Sequence, residues 1–352
     1  MSYKTGMRTM LTTIVLTFGF VLLLVPLLPA CNSGSSAGRQ DAGGLDATLL
    51  PADSGLESQV TVLETLDIFP FNDDLAPGQP TVDIAFYITE LGPLTWAELA
   101  SNITRAKRIL SEAGVSIRVT SALRISVPAS WQSLDPDEVT MPTTPEFVTS
   151  DLYAHLNELQ TRVTLRNEAI FEAITSYFPV QASGVTAENT IHVITLNEAP
   201  IAYYDWDGSE WSYQTAPTGG LSFPPYAYAD RIPAGIRGVI TLSFQQAPFF
   251  PETRVLSHEI GHKIINVSHE GVGVCPAFAA NGPELMLYGD GENIPSTEAG
   301  RWHRERLLLS PFLYTLEQGV AMFQDRYQNG GVYRDEVYGN YIVSPICPPE
   351  TK

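Results

Sequence analysis

Residues 258–262 read His258-Glu259-Ile260-Gly261-His262, and His269 follows seven residues later. Three of the chain's six histidines therefore fall within twelve residues. On a helix, positions i and i+4 share one face, so His258 and His262 can point at one metal ion. Glu259 lies beside them, where it can reach a water on that metal. The pattern constrains this stretch to be helical, and its chemistry is that of zinc-dependent hydrolysis.

The local sequence agrees with a helix. Pro251, Glu252 and Thr253 supply a first-turn proline, an acidic residue and a cap before Val255 and Leu256. Leu256, Ile260 and Ile264 recur at a spacing of four, so one stripe can enter a core. Gly261 within the helix costs about 1 kcal/mol relative to alanine, a cost tolerable where it allows close packing. Asn266 tolerates the left-handed conformation and is the expected end of the helix. A turn there would swing His269 back toward the metal.

Upstream, the chain alternates between strands and helices. Val82 to Thr89 reads as a buried strand. Thr95 caps a helix running from Trp96 to about Ala113, with Glu98 placed for a capping box and Gly114 as the stop. Val115, Ile117 and Val119 alternate with polar residues and predict a second strand. Residues 145–178 read as one or two helices closed by Pro179. Thr190 to Leu196 and Arg237 to Phe244 are the third and fourth strands. The ordered domain is expected to begin near Thr81, with residues 58–80 able to add a strand.

Between Tyr203 and Tyr228 lies an aromatic-dense insert in which Asp205-Trp206-Asp207-Gly208 predicts a tight turn between two short strands. Asp205, Asp207 and Glu210 offer oxygen ligands for calcium, but the fuller spacing of a calcium loop is absent, and a plain hairpin is the preferred reading.

The N-terminus is processing signal rather than fold. Lys4 and Arg8 precede an almost wholly apolar run from Met10 to Leu28, and Leu28-Pro29-Ala30-Cys31 follows. This resembles the lipobox of bacterial lipoproteins, which implies removal of residues 1–30 and lipidation of Cys31. An exported lipoprotein anchored to a membrane on its extracytoplasmic side is the expectation. Asn32 to about Gly55 is rich in Gly, Ser, Ala and Asp and reads as a tether. The chain has three cysteines. With Cys31 given to lipid, Cys275 and Cys347 remain, as a disulfide in an oxidising compartment or as two thiols; parity favours the disulfide. The chain carries 39 Asp+Glu against 20 Lys+Arg, which argues against nucleic acid as a partner.

A second motif follows the histidines. Seventeen residues after His269 stands Met286, within Leu285-Met286-Leu287-Tyr288-Gly289. Three histidines, then a turn carrying a methionine with a tyrosine two residues later, resemble the metzincin metallopeptidases. Pro295-Ser296-Thr297-Glu298, before a helix from Trp302 to Leu309, fits the same arrangement. The resemblance implies an α+β, zincin-like fold with a mixed twisted sheet. An N-terminal catalytic subdomain (81–269) would hold the active helix, after a 31–80 extension. A smaller, mainly helical or irregular subdomain (270–352) would hold the methionine turn.

The resemblance also implies the roles. His258, His262 and His269 would hold one zinc ion, and Met286 would form an apolar floor beneath them. Glu259 would act as general base on a metal-activated water, and Tyr288 would donate to the developing oxyanion. A peptide or protein would be the substrate. The sequence departs from the family at one point: Ile265 stands where the family has glycine, and the third histidine arrives one residue late. Asn266 can take the glycine's turning role. Should His269 not ligate, Glu270, Glu284 or Asp290 could serve, and a carboxylate third ligand would instead resemble the gluzincins. A non-catalytic surface lipoprotein on the same fold is the rival reading. His155, His192 and His303 read as structural.

Overall fold

A computed structural model gives the fold. It describes residues 59–73, 75, 78–91, 95–133, 165–177, 184–206, 211–222, 237–243, 254–265, 284–286, 291–294, 304, 307–308, 310–323, 327–328 and 332–333. Of these, 165–168, 201–206, 211–214, 216, 327–328 and 332–333 are described as backbone only.

The central strand is β2 (Thr81–Thr89), and all nine of its residues are buried. Alternate residues serve opposite faces, as the period of a strand requires. Val82, Ile84, Phe86 and Ile88 enter one core cluster, while Ala85 and Tyr87 enter another. A strand apolar on both faces has to be covered on both. Helix α1 (Trp96–Ser111) lies on the first face, with Leu99, Ile103, Ala106, Ile109 and Leu110 in that core. A capping box starts α1: the Glu98 N–H donates to Thr95 Oγ1 at 3.3 Å, and the Thr95 N–H donates to Glu98 Oε2 at 2.7 Å. Gly114, at φ +78, takes the left-handed turn that follows.

The sheet runs in the order β1-β3-β2-β4-β8-β7. β1 (Thr61–Thr65) lies antiparallel to β3 (Ser116–Ser126), so the sheet starts before the expected boundary at Thr81. β3 is longer than its apolar alternation indicated. β2, β3, β4 (Ile191–Thr195) and β8 (Val239–Leu242) are mutually parallel along the sheet. The short edge strand β7 (Gly220–Leu221) lies antiparallel to β8. A four-residue helix, α2 (Ala129–Gln132), follows β3, and α3 (Leu165–Thr175) packs Ile170, Phe171 and Ile174 on the second face. The rest of the helical region expected at 145–178 falls outside the described residues. β5 (Ile201–Trp206) and β6 (Trp211–Ala216) form a hairpin in the expected insert, with Asp205 and Trp206 paired in the strand instead of lying in the turn. α4 (Val255–Ile265) then carries the histidines and packs against α1.

The C-terminal part holds more strand than expected. β9 (Leu313–Glu317) pairs with β10 (Val320–Phe323) and also joins the main sheet, with Tyr314 and Leu313 opposite Thr81 and Val82. β11 (Tyr327–Gln328) and β12 (Val332–Tyr333) form another small pair. Of the helix expected from Trp302 to Leu309, helical backbone is described at Arg304, Leu307 and Leu308. The fold is thus α+β on a mixed sheet. Among the described residues no helix is long and apolar enough to cross a membrane.

A buried polar group ties β9 to the sheet centre. Arg118 grips Asp83 with two hydrogen bonds, at 2.9 and 2.5 Å, and the Tyr314 hydroxyl donates to Asp83 Oδ1 at 2.7 Å. Burial and the neighbouring carboxylate push the Tyr314 hydroxyl well above its ordinary pKa. This satisfies a carboxylate that has no access to solvent.

Candidate metal centre

The helix carrying the motif begins where the His258 N–H donates to the Arg254 carbonyl at 3.1 Å. Every residue of α4 is buried, which a helix tolerates only when it is covered all round. The Leu256, Ile260 and Ile264 stripe enters the core with α1, as its spacing requires.

His258 and His262 come together on another face. Their ring centroids are 4.7 Å apart at an interplanar angle of 87°. His258 Nδ1 lies 2.7 Å from the Leu285 carbonyl oxygen. A carbonyl can only accept, so Nδ1 carries the proton and Nε2 carries the lone pair that a metal requires.

The methionine turn reaches this helix directly. A Cβ added at Gly261 would overlap the Met286 sulfur, so the glycine is what admits Met286 against the helix. Met286 itself is fully buried in the same core cluster.

Glu259 is closed in from the other side by the sheet edge. A Cβ at Gly220 of β7 would stand 2.7 Å from Glu259 Cγ, Glu259 Oε1 and Val255 Cγ1. The bare backbone of the edge strand therefore lies against the carboxylate side chain. Burial pushes the Glu259 carboxyl up to about 8, while the positive charges of Lys263 and Arg254 pull the other way. Burial lowers Lys263 to about 7, opposed by Glu259. A carboxyl held near neutrality can both take and return a proton.

Arg254 completes the surroundings. Its guanidinium donates to the Leu285 carbonyl at 2.6 Å and to the Gly291 carbonyl at 2.5 Å. Its Nη2 also sits 3.5 Å from His258 Nδ1. Both of those nitrogens carry protons, so they converge on the Leu285 oxygen instead of bonding each other. Beyond Gly291, Glu292 is gripped by Arg105 and by Arg108, the latter at 2.5 Å.

Two adjacent imidazoles, a neighbouring buried carboxylate and a carbonyl that sets one imidazole's tautomer suit zinc chemically. The structure brings His258, Glu259, His262 and Met286 into one place. His269, Tyr288, Glu270 and Asp290 lie outside the described residues, as do Cys31, Cys275, Cys347, Asp207, Glu210, His155 and His303. Glu284 is described, its backbone bridged to Asn293. Among the described residues no group of three or more His, Cys, Asp or Glu side chains forms a metal cluster.

His192 is a core residue, as expected. The Tyr87 hydroxyl donates to its Nδ1 at 3.2 Å, and its Nε2 donates to the Ala187 carbonyl at 2.9 Å. Burial lowers its pKa to about 4.

Three contributors to the site lie outside the motif. Arg254 was visible as the residue four before His258, and hence on the same helix face. Gly220 follows Gly219, a pair marking close backbone approach. The Leu285 carbonyl is a main-chain group and leaves no side-chain signal.

No family model matches the chain, and no curated protein matches it. Among solved structures, metalloproteinase-II from Bacteroides fragilis aligns with a TM-score of 0.34 at 13% identity, covering 67% of this chain. The alignment spans 54% of the length of that protein. A likeness of that strength decides neither family nor activity.

Proposed function

We propose that this protein is a zinc-dependent peptidase of the metzincin type, held at a membrane surface through lipid on Cys31. The observation that carries the catalytic reading is the 4.7 Å approach of the His258 and His262 rings, with the Nε2 lone pair of His258 fixed by the Leu285 carbonyl and buried Glu259 alongside. His258 and His262 would hold the ion, with His269, one residue later than the family spacing, as third ligand. Bound there, zinc supplies a Lewis acid that polarises a carbonyl and makes water more acidic.

The chain's own groups do the rest. Glu259 takes a proton from the attacking water and returns it to the leaving amine. Its burial keeps bulk water from competing for that proton. Lys263 and Arg254 favour its anionic form before the first transfer and after the second. Met286 excludes water from beneath the imidazoles. Tyr288, by its place after the methionine, is assigned to the oxyanion.

The test is metal content and peptide cleavage by the purified full chain. Glu259→Gln is expected to keep zinc and lose cleavage. Absence of zinc binding at micromolar concentration would sink the proposal. Zinc without turnover on a broad peptide library would point to a binding protein instead. The lipid anchor is tested separately, by mass analysis of the N-terminal peptide and of a Cys31→Ala variant.

A further inference from the structure

We propose that Arg254 is a positioning residue of the metal centre, fixing the Leu285 carbonyl and through it the tautomer and aim of His258. The inference rests on the zinc reading above.

Arg254 stands one helical turn before His258 and is 4% exposed. A guanidinium in such a place loses its hydration, which is costly unless its donors are used. They are used on two main-chain oxygens, Leu285 and Gly291, that flank Met286 in sequence. The planar fork reaches the two carbonyls from two nitrogens in a fixed geometry; a lysine ammonium offers its three donors from a single, freely turning nitrogen. The guanidinium thus straps the methionine turn to the start of the metal-bearing helix from inside. Arg105 and Arg108 hold Glu292 of the same loop from α1, on the outer side.

The strap acts on one imidazole. Leu285 O accepts from both Arg254 Nη2 and His258 Nδ1, at 2.6 and 2.7 Å. Its position decides where the Nδ1 proton points, and hence where Nε2 points. Were the carbonyl to swing away, Nδ1 could instead accept from the guanidinium 3.5 Å away. That would move the proton to Nε2 and remove the lone pair meant for metal. Outer partners of metal-bound histidines act in this way, and losing one weakens metal binding by about 10- to 100-fold.

The experiment uses the full chain, unaltered and as Arg254→Lys, with zinc affinity read by chelator competition and the visible spectrum read with cobalt(II). In the metal-free proteins, 15N-labelled histidine reports the His258 tautomer, the signal being identified by its loss in His258→Asn. The unaltered protein is expected to show protonated Nδ1. Arg254→Lys is expected to mix the tautomers, shift the cobalt spectrum and bind zinc about 10- to 100-fold more weakly at unchanged circular dichroism.

A folded Arg254→Lys with one tautomer and zinc affinity within about two-fold of the unaltered protein would overturn the proposal. So would a protonated Nε2 in the unaltered protein, a result that does not depend on the variant folding. If the unaltered chain binds no zinc, the peptidase reading fails, while the tautomer comparison still decides the role of Arg254.

Discussion

The Met286 sulfur occupies the space that a side chain at residue 261 would fill. The mid-helix glycine therefore marks a contact between the metal-bearing helix and the methionine turn. Gly261→Ala gains about 1 kcal/mol in helix propensity but forces the sulfur aside, at a cost of about 1–3 kcal/mol. A net loss of stability is expected in urea titration. Combined with Met286→Ala, the loss should shrink, and the coupling in a double-mutant cycle measures the contact. Strict additivity would show that the two residues do not meet.

Gly220 sets the room available to Glu259. A methyl group there would stand 2.7 Å from both Cγ and Oε1 of the carboxylate side chain. Gly220→Ala is expected to displace the base while leaving the imidazoles in place. Peptide cleavage should fall by about 100-fold or more, the span general-base catalysis supplies, with zinc content unchanged. Unchanged kcat/KM would show that Glu259 is not where cleavage needs it.

His192 makes the core sensitive to acid. Its folded pKa, about 4, lies below the ordinary 6.5 because burial penalises the charged ring. The group's contribution is therefore complete above pH 6.5 and is lost as pH falls toward 4. Over that window the loss amounts to about 3 kcal/mol. Stability measured from pH 7 to pH 4 should fall less steeply in His192→Gln, which cannot gain a proton. Equal slopes would contradict the assignment.

Asp83 joins three elements through Arg118 and Tyr314. Asp83→Ala leaves a half-buried guanidinium without its carboxylate, and about 3 kcal/mol of stability is expected to go. Tyr314→Phe removes a single donor and should cost about 1 kcal/mol. Thermal melts of the two variants rank the effects; a larger loss for Tyr314→Phe would place the main energy in the hydroxyl's hydrogen bond, not in the Arg118–Asp83 pair.

The parts legible in the sequence are those with local periodicity or caps. The α1 cap at Thr95 and Glu98, the paired histidines of α4 and the buried β2 all follow from residues within a few positions of one another. β9 was missed because its partner, β2, is more than 200 residues away, and a five-residue stretch has too short a pattern to announce pairing. Met286 stood out by its spacing after the histidines, and the structure sets its sulfur against Gly261. Arg254 went unread because its role depends on two carbonyl oxygens brought to it by the fold.

The place of β2 has a consequence for how the chain is made. It bonds on one side to β3 and on the other to β4 and then β9, and the Asp83–Tyr314 contact spans 231 residues of sequence. During synthesis, the strand at the centre waits for a partner near the end of the chain. Its carboxylate and arginine must stay hydrated or half-paired until that partner arrives, the slow, late-closing order typical of long-range pairing. Chains stopped before residue 313 would carry both histidines of α4 and still lack Leu313, which shares their helix's core cluster. A truncated product would keep the motif intact and lose part of the core that its helix shares.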